Sequence, residues 1–286
     1  MALSDSEVSK AELDRRLYRR SQRSRSVLVA FISTLVFAIV VWFGLIATPG
    51  WTRVQESFFS WEVAVQAWPR VLDGLLLNLR VLAVAAVLVV IFGLLLAIMR
   101  TLKSPVFFPL RMLAKGYVDL FRGMPLIIVL YLVGFGIPGL RLEFLGRIPA
   151  EVLGTIALTL TYSAYVSEVF RAGIESVHSS QRLAARSLGL TSAQSMRLVV
   201  LPQAVRKVVP PLMNDFVALQ KDVGLISVLG AIDAVRGAQI EVAKFANFTP
   251  YVLAGLMFVL LAIPTIRLAD YVTKRLSDKE QAGVSL

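Results

Sequence analysis

Apolar residues in this chain come in blocks rather than as an alternation or a narrow stripe. The blocks 27–47, 71–99, 124–140 and 250–266 are near or above the ~20 residues with which a helix crosses a bilayer. Inside hydrocarbon every backbone N–H and C=O must find its partner within the protein, so blocks of this length predict helices. Weaker apolar stretches complete the pattern. Spans are predicted at 27–47, 71–99, 112–135, 150–173, 204–229 and 249–270. The fold class is therefore an all-α polytopic membrane protein with about six transmembrane helices, and an even count puts both termini on one side.

Polar interruptions of that pattern carry the functional information. Between the fourth and fifth spans lies a loop, residues 171–207, with a pattern of its own. Ser179 or Ser180 can cap a helix through Leu188, and Gly189 suits the position just past its end. Ala184, Ala185 and Leu188 form a small apolar face, and Arg182 and Arg186 a basic edge. Two readings stand side by side: a helix seated in another protein's groove, or one lying on the lipid surface.

The fifth span holds Pro210-Pro211 and then Asn214, Asp215, Gln220, Lys221 and Asp222. Residues seven apart return to within about 20° on a helix, which aligns Asn214 with Lys221 and Asp215 with Asp222 and predicts that all four share one face. Charges of this kind do not face lipid. They line an aqueous pathway or hold helices together, and the two roles are compatible. In the fourth span Thr161, Tyr165 and Glu168 form a related stripe. Glu168 has a bland alternative to an ammonium contact, a pair with Arg171 one turn on. Arg80 reads as a snorkelling arginine, with a contact to a substrate carboxylate as the weaker alternative.

Composition sharpens the picture. The chain of 286 residues is 57% hydrophobic and 17% charged, with a mean hydropathy of +0.72; a soluble domain carries about 25% charged residues. There is no cysteine and a single histidine, His178, which removes disulfides, thiolate metal sites and histidine-based triads. No GxxxxGK[ST] loop is present, so if ATP drives this protein another chain binds it. The net charge of +11 invites a nucleic-acid reading, but its placement argues against one. Of the 30 Lys and Arg, only Arg53, Arg70, Arg80, Arg141, Arg147, Lys221, Arg236 and Lys244 fall outside the predicted cytoplasmic segments. That is the positive-inside pattern with both termini in the cytoplasm. The first apolar run is too long for a signal peptide and ends in Thr48-Pro49-Gly50-Trp51 without a small-x-small site.

At the 171–207 loop the sequence resembles the permease subunits of bacterial ABC importers. Their signature is EAA, three residues, Gly, nine residues and Ile-x-Leu-Pro. Here Leu183-Ala184-Ala185, Gly189 and Val199-Val200-Leu201-Pro202 keep that register, with Leu183 in place of the leading Glu. Further segments resemble the polar amino acid branch, whose members carry histidine, glutamine, glutamate or arginine. Phe121-Arg122-Gly123-Met124-Pro125-Leu126 is similar to FRGTPL, and Glu168-Val169-Phe170-Arg171-Ala172-Gly173 to E-I-x-R-x-G. Pro210-Pro211-Leu212-Met213-Asn214-Asp215-Phe216 is similar to PPLxNEF, and Leu219-Gln220-Lys221-Asp222-Val223-Gly224-Leu225 to LLKDTSL, with two hydroxyls lost. The likeness covers about 72–276.

The resemblance implies a five-helix core of the type I (methionine-importer-like) importer fold, with one extra helix at the N-terminus. It divides the chain into a cytoplasmic basic tail (1–25), the extra helix (26–47), an extracytoplasmic loop (48–70), the permease domain (71–276, with a coupling loop at 174–203) and a cytoplasmic tail (277–286). The implied chain is a non-catalytic subunit of the bacterial plasma membrane that binds no cofactor. ATP and Mg belong to a partner ATPase, onto which Leu183, Ala184, Ala185, Gly189, Val199, Leu201 and Pro202 are expected to couple. A second permease subunit, like or unlike, an extracytoplasmic binding protein and membrane lipid are the other implied partners; nucleic acid is not. Asn214, Asp215, Lys221, Asp222 and Glu168 are the candidates for the pathway of a polar amino acid, with general likeness favouring glutamate or glutamine. An ion-coupled secondary transporter, or a non-transporting scaffold or channel subunit, are the competing readings.

Overall fold

A computed structural model describes residues 10–102, 104–142 and 145–284, so the ends of both predicted tails lie outside it. The chain forms two compact units, Met1–Ser60 and Trp61–Leu286.

In the first unit α1 (Lys10–Val41) carries the basic run without interruption into the apolar one. A π turn, Trp42–Ile46, closes it, and α2 (Pro49–Phe58) follows. Thr48 is extended ahead of Pro49, which starts the helix where a missing N–H is harmless. The apolar residues of α1 from Val27 to Val40 are exposed all round, as befits a helix with lipid as its solvent.

The second unit opens with α3 (Trp61–Thr101). Helix thus begins well inside the segment expected to be a loop. Ala64, Ala67 and Val71 continue the apolar stripe of the span backwards at helical spacing, with Ala67 and Val71 buried. There follow α4 (Phe108–Gly123), α5 (Leu126–Tyr131), a π turn at Leu132–Gly136 and α6 (Ile137–Gly139). Next come α7 (Ala150–Glu175), α8 (Ser179–Ser187) and α9 (Ser192–Ser195), then a π turn at Met196–Val200. The chain ends with α10 (Leu201–Asp222), a 3-10 segment Val223–Leu229, α11 (Ala234–Phe245) and α12 (Thr249–Val284). Every described element is helical.

Four stretches are long and apolar enough to cross a membrane alone, at Arg25–Gly44, within Gly50–Thr101, at Ala150–Glu175 and at Thr249–Leu276. Two bent pairs bring the number to six: Pro105–Gly123 with Leu126–Gly139, turned by 108°, and Ser192–Leu229 with Ala234–Phe245, turned by 53°. The predicted third span, 112–135, is therefore not one straight rod. Pro125 drives Met124 out of the helical region to φ −102°, ψ 132°. Hydropathy averages over such a break and does not see it.

The core is a helix-on-helix seam. Val81, Leu82, Ala85 and Val89 of α3 bury against Leu158, Tyr162 and Val166 of α7, with Leu219, Val223 and Ile226 closing the third side. Small residues let the backbones approach. A Cβ on Gly93 would sit 2.7 Å from Val166, and one on Gly173 would sit 2.1 Å from Val208. The Gly173 contact explains why the fourth span ends on glycine: α7 and α10 touch there.

Candidate functional site

On the loop between α7 and α10, α8 ends as its sequence requires. Gly189 lies at φ +83°, its N–H donates to the Arg186 carbonyl at 3.0 Å, and the Leu190 N–H donates to the Ala185 carbonyl at 3.2 Å. These two bonds satisfy carbonyls that a helix end leaves open, and L side chains rarely adopt that φ. The N-terminal cap differs from expectation. His178, not Ser179 or Ser180, is the cap residue, and its Nδ1 accepts from the Ser180 N–H at 3.3 Å. Thr191 and Gln194 then form a reciprocal capping box that starts α9.

The apolar face of α8 is divided. Ala185 is buried, whereas Ala184 is exposed, as are Leu183 (64%) and Leu188 (83%). Two large apolar side chains are thus exposed, one on α8 and one at its C-terminal cap. Three bonds tie the loop to the helices around it. Arg182 donates to the Ile174 carbonyl at 2.5 Å, Lys207 to the Ser176 carbonyl at 3.3 Å, and Gln203 to the Gln181 side chain. Further along, Val200 is buried, Val199 half-buried, and Leu201 and Pro202 exposed at the start of α10.

Asp215 lines three cavities, one of them small and apolar and two larger. Of that pair the larger, about 400 Å³, is lined by Arg122 of α4, Tyr165, Glu168 and Ser176 of or near α7, and Lys207 and Asp215 of α10. The other, about 260 Å³, is lined by Met124 and Pro125 at the break, Thr161, Tyr162 and Tyr165 of α7, and Asp215 and Asp222 of α10. The break after Gly123 is what opens room beside α7 at this level. Tyr162 donates to Asp222 Oδ2 at 2.8 Å. Asp215 Oδ2 and Thr161 Oγ1 are buried, and neither has a hydrogen-bond partner among the described residues.

Glu168 closes the wall of the larger cavity within an arginine cluster. It accepts from Arg100 of α3 at 2.7 Å and from Arg171, while Arg122 approaches to 3.8 Å. The Arg122 guanidinium also lies 5.8 Å from the centre of the Tyr165 ring. The expected pair with Arg171 is present, and a carboxylate held by Arg100 as well is largely neutralised where it stands.

The span-five candidates separate. Asp215 and Asp222 line the cavities; Asn214 and Lys221 are exposed on the neighbouring edge and line neither. Adjacent residues point about 100° apart on a helix, so the four positions form two edges rather than one face. Among the described residues Lys221 makes no ion pair with Asp222. Arg80 is exposed and lines neither cavity. Reading the sequence missed Tyr162, Arg100 and Arg122. Arg122 stood inside a recognised motif, and its neighbour Pro125 was the available signal. Tyr162 and Arg100 had none, because their partners lie 60 and 68 residues away.

Residues 90–278 match the family described as binding-protein-dependent transport system inner membrane components. The glutamate/aspartate import permease protein GltK of Escherichia coli O157:H7 is 37% identical over 209 residues, covering 68% of this chain and 92% of that one. The probable glutamine ABC transporter permease protein GlnM of Bacillus subtilis (strain 168) is 35% identical over 208 residues, 72% of this chain and 92% of its own. The arginine transport system permease protein ArtQ of the same strain is 32% identical over 214 residues, at 74% and 94%. Among solved structures, the crystal structure of an amino acid ABC transporter with histidines superposes with a TM-score of 0.68 at 33% identity, covering 74% of this chain and 96% of that one. An inward-facing MetNI methionine ABC transporter gives 0.56 at 20% identity, covering 72% and 95%, a likeness of fold alone.

Proposed function

The chain belongs to the family of binding-protein-dependent transport inner membrane components, the permease subunits of ABC importers, and we propose that it passes a polar amino acid along the Asp215 cavities while a partner ATPase hydrolyses ATP. The observation that carries this reading is the unpartnered, buried Oδ2 of Asp215 at the junction of the two cavities. A buried carboxylate oxygen without a donor is expensive to keep. A substrate ammonium group would satisfy it in passing. Carboxylates sit at Asp215 and Asp222, and cations at Arg122 and Lys207. Separated charge of this kind suits a zwitterion, and cavities of about 400 and 260 Å³ suit a small one.

Glutamate and glutamine are the favoured cargo, in keeping with the names of the similar permeases. Two copies of this chain, or this chain and an unlike one, pair in the membrane with both termini in the cytoplasm. An extracytoplasmic binding protein delivers the amino acid. On the cytoplasmic side α8 seats Leu183, Ala184 and Leu188 in a groove of the ATPase, and Gly189, Val199, Leu201 and Pro202 carry its movement into α10. Two supports favour docking over lipid: Leu183 on α8 and Leu188 at its cap are held by a terminus locked by local bonds, and three further bonds brace the loop against α7 and α10. The spans then alternate between access from either side.

Co-purification followed by reconstitution tests this. The chain should bring down a nucleotide-binding subunit, and uptake in proteoliposomes should require ATP and an amino-acid-loaded binding protein. Uptake that continues with the ATPase subunit removed sinks the proposal.

A further inference from the structure

Hydrogen-bond donors and acceptors are out of balance in the 260 Å³ cavity. Two carboxylates, Asp215 and Asp222, stand on its wall, seven residues and about 10 Å apart along α10. Among the described residues that line it none is Lys, Arg or His, and Met124, Pro125, Leu126 and Ala218 have no side-chain N–H or O–H. The side-chain donors are three hydroxyls. That of Tyr162 is taken by Asp222 Oδ2 at 2.8 Å, and that of Tyr165 points to the Arg122 carbonyl at 3.5 Å. Only Thr161 is left.

Thr161 is unlike the other threonines of its helix. Thr155 and Thr159 donate to the carbonyls four residues back, Glu151 and Thr155, at 2.7 and 2.8 Å, where a helical threonine usually rests its hydroxyl. Thr161 is 3% exposed, yet its Oγ1 has no partner among the described residues. Asp215 Oδ2 is in the same condition. Two open polar groups, one on α7 and one on α10, thus line a single cavity, and buried groups left open in this way call for a partner from outside the chain. Asp222 is different: one of its oxygens is held by Tyr162, its one side-chain partner among the described residues.

We infer that this chain itself selects cargo by side chain: Asp215 and Thr161 hold the end common to all amino acids, and Asp222 admits side chains that end in an N–H donor and turns away acidic ones. This rests on the pathway proposed above and narrows its cargo. The ammonium group donates to Asp215 Oδ2. The carboxylate on the same carbon accepts the Thr161 hydroxyl and faces Arg122 and Lys207 in the adjoining cavity. The side chain then extends along α10 toward Asp222. An amide, an ammonium or a guanidinium group donates to that carboxylate, whereas a carboxylate can only accept. An acidic side chain would meet like charge at Asp222 with no donor beside it, away from water. Glutamine and glutamate have the same shape, so the choice between them is made by donor and charge rather than by size.

Direct binding separates this selection from that of a binding protein. The complex of this chain with its partner subunits, free of binding protein, is placed in nanodiscs and equilibrated with radiolabelled glutamine, lysine or glutamate. The tighter of glutamine and lysine should bind at least about tenfold more tightly than glutamate, as one charge-assisted hydrogen bond kept rather than lost requires. Which of the two it is tells an amide cargo from a cationic one. Asp222→Asn still accepts from Tyr162 but turns an amide N–H2 to the cavity, and should close the ratio to within about threefold by weakening the donor cargo and strengthening glutamate. Thr161→Val keeps the shape and removes the hydroxyl, so all three affinities should fall alike, by about fivefold, with the ratio unchanged. Equal affinities for all three in the parent, or a preference for glutamate, overturn the selection and leave the pathway standing. If the parent binds none of them, the pathway reading fails and the selection with it. The parent's ratio is read without any variant, so a substitution that prevents assembly does not prevent the test.

Discussion

Asp222 and Asp215 differ in what they already hold. Asp222 accepts the Tyr162 hydroxyl at 2.8 Å, whereas Asp215 Oδ2 has no donor. Asp222→Asn keeps an acceptor for Tyr162 and removes only charge, so the complex should assemble while transport falls about tenfold. Asp222→Ala strands the hydroxyl as well and should add a stability loss of about 1–3 kcal/mol, measured by thermal unfolding in detergent. If Asp222→Asn itself disperses the complex, the aspartate is a structural residue and the pathway assignment fails. Gly173→Val places a side chain where Val208 stands and should destabilise the α7–α10 contact by roughly 1–3 kcal/mol. These residues were unequally legible. Gly173 lay in a recognised motif, and Asp215 and Asp222 declared themselves as charges among apolar neighbours. Asn78 of α3, which donates to Asp233 Oδ2 at 3.0 Å, did not, because an asparagine near the end of an apolar run looks like a boundary residue, and that partner is 155 positions away.

Local chemistry decides how well each element could be read. The end of α8 was legible because the positive φ of Gly189 and its two bonds depend only on neighbouring residues. Its start was not, since a histidine took a capping role for which two serines stood ready. The division of Ala184 from Ala185 was equally hidden, because only the helices beneath α8 decide which alanine is covered. Gly189→Val imposes a φ that a β-branched residue strongly resists. Membrane insertion should be normal in that variant, with ATP hydrolysis continuing while uptake falls toward background. Normal coupled uptake would refute the docking role of α8. The break at Met124–Pro125 was half legible: proline was visible, the 108° turn was not.

On the scale of the whole chain, apolar blocks led to the membrane assignment, and the bent pairs supplied the spans that polarity had disguised. The second unit, Trp61–Leu286, contains α3, α7, α10 and their shared core, and the matched family region 90–278 lies within it. A chain lacking residues 1–60 should therefore still fold, but with its new N-terminus outside the membrane. Protease protection of an N-terminal tag in intact cells checks this; a protected tag would mean that the first helix dictates the topology of the others.

Helix α10 runs from Leu201 to Asp222 straight through Pro210-Pro211. Two adjacent residues without an N–H deprive the carbonyls of Arg206 and Lys207 of their usual helical donors. The stretch between α8 and Asp215 is thus compliant rather than stiff. Under the proposed docking of α8, movement there would reach Asp215 damped and delayed, and nucleotide turnover at a partner ATPase would begin before the cavity rearranges. Restoring the donors with Pro210→Ala and Pro211→Ala should tighten that linkage. The expected readout is a lower basal ATPase rate in the absence of loaded binding protein, by about threefold or more if roughly one hydrogen bond is regained.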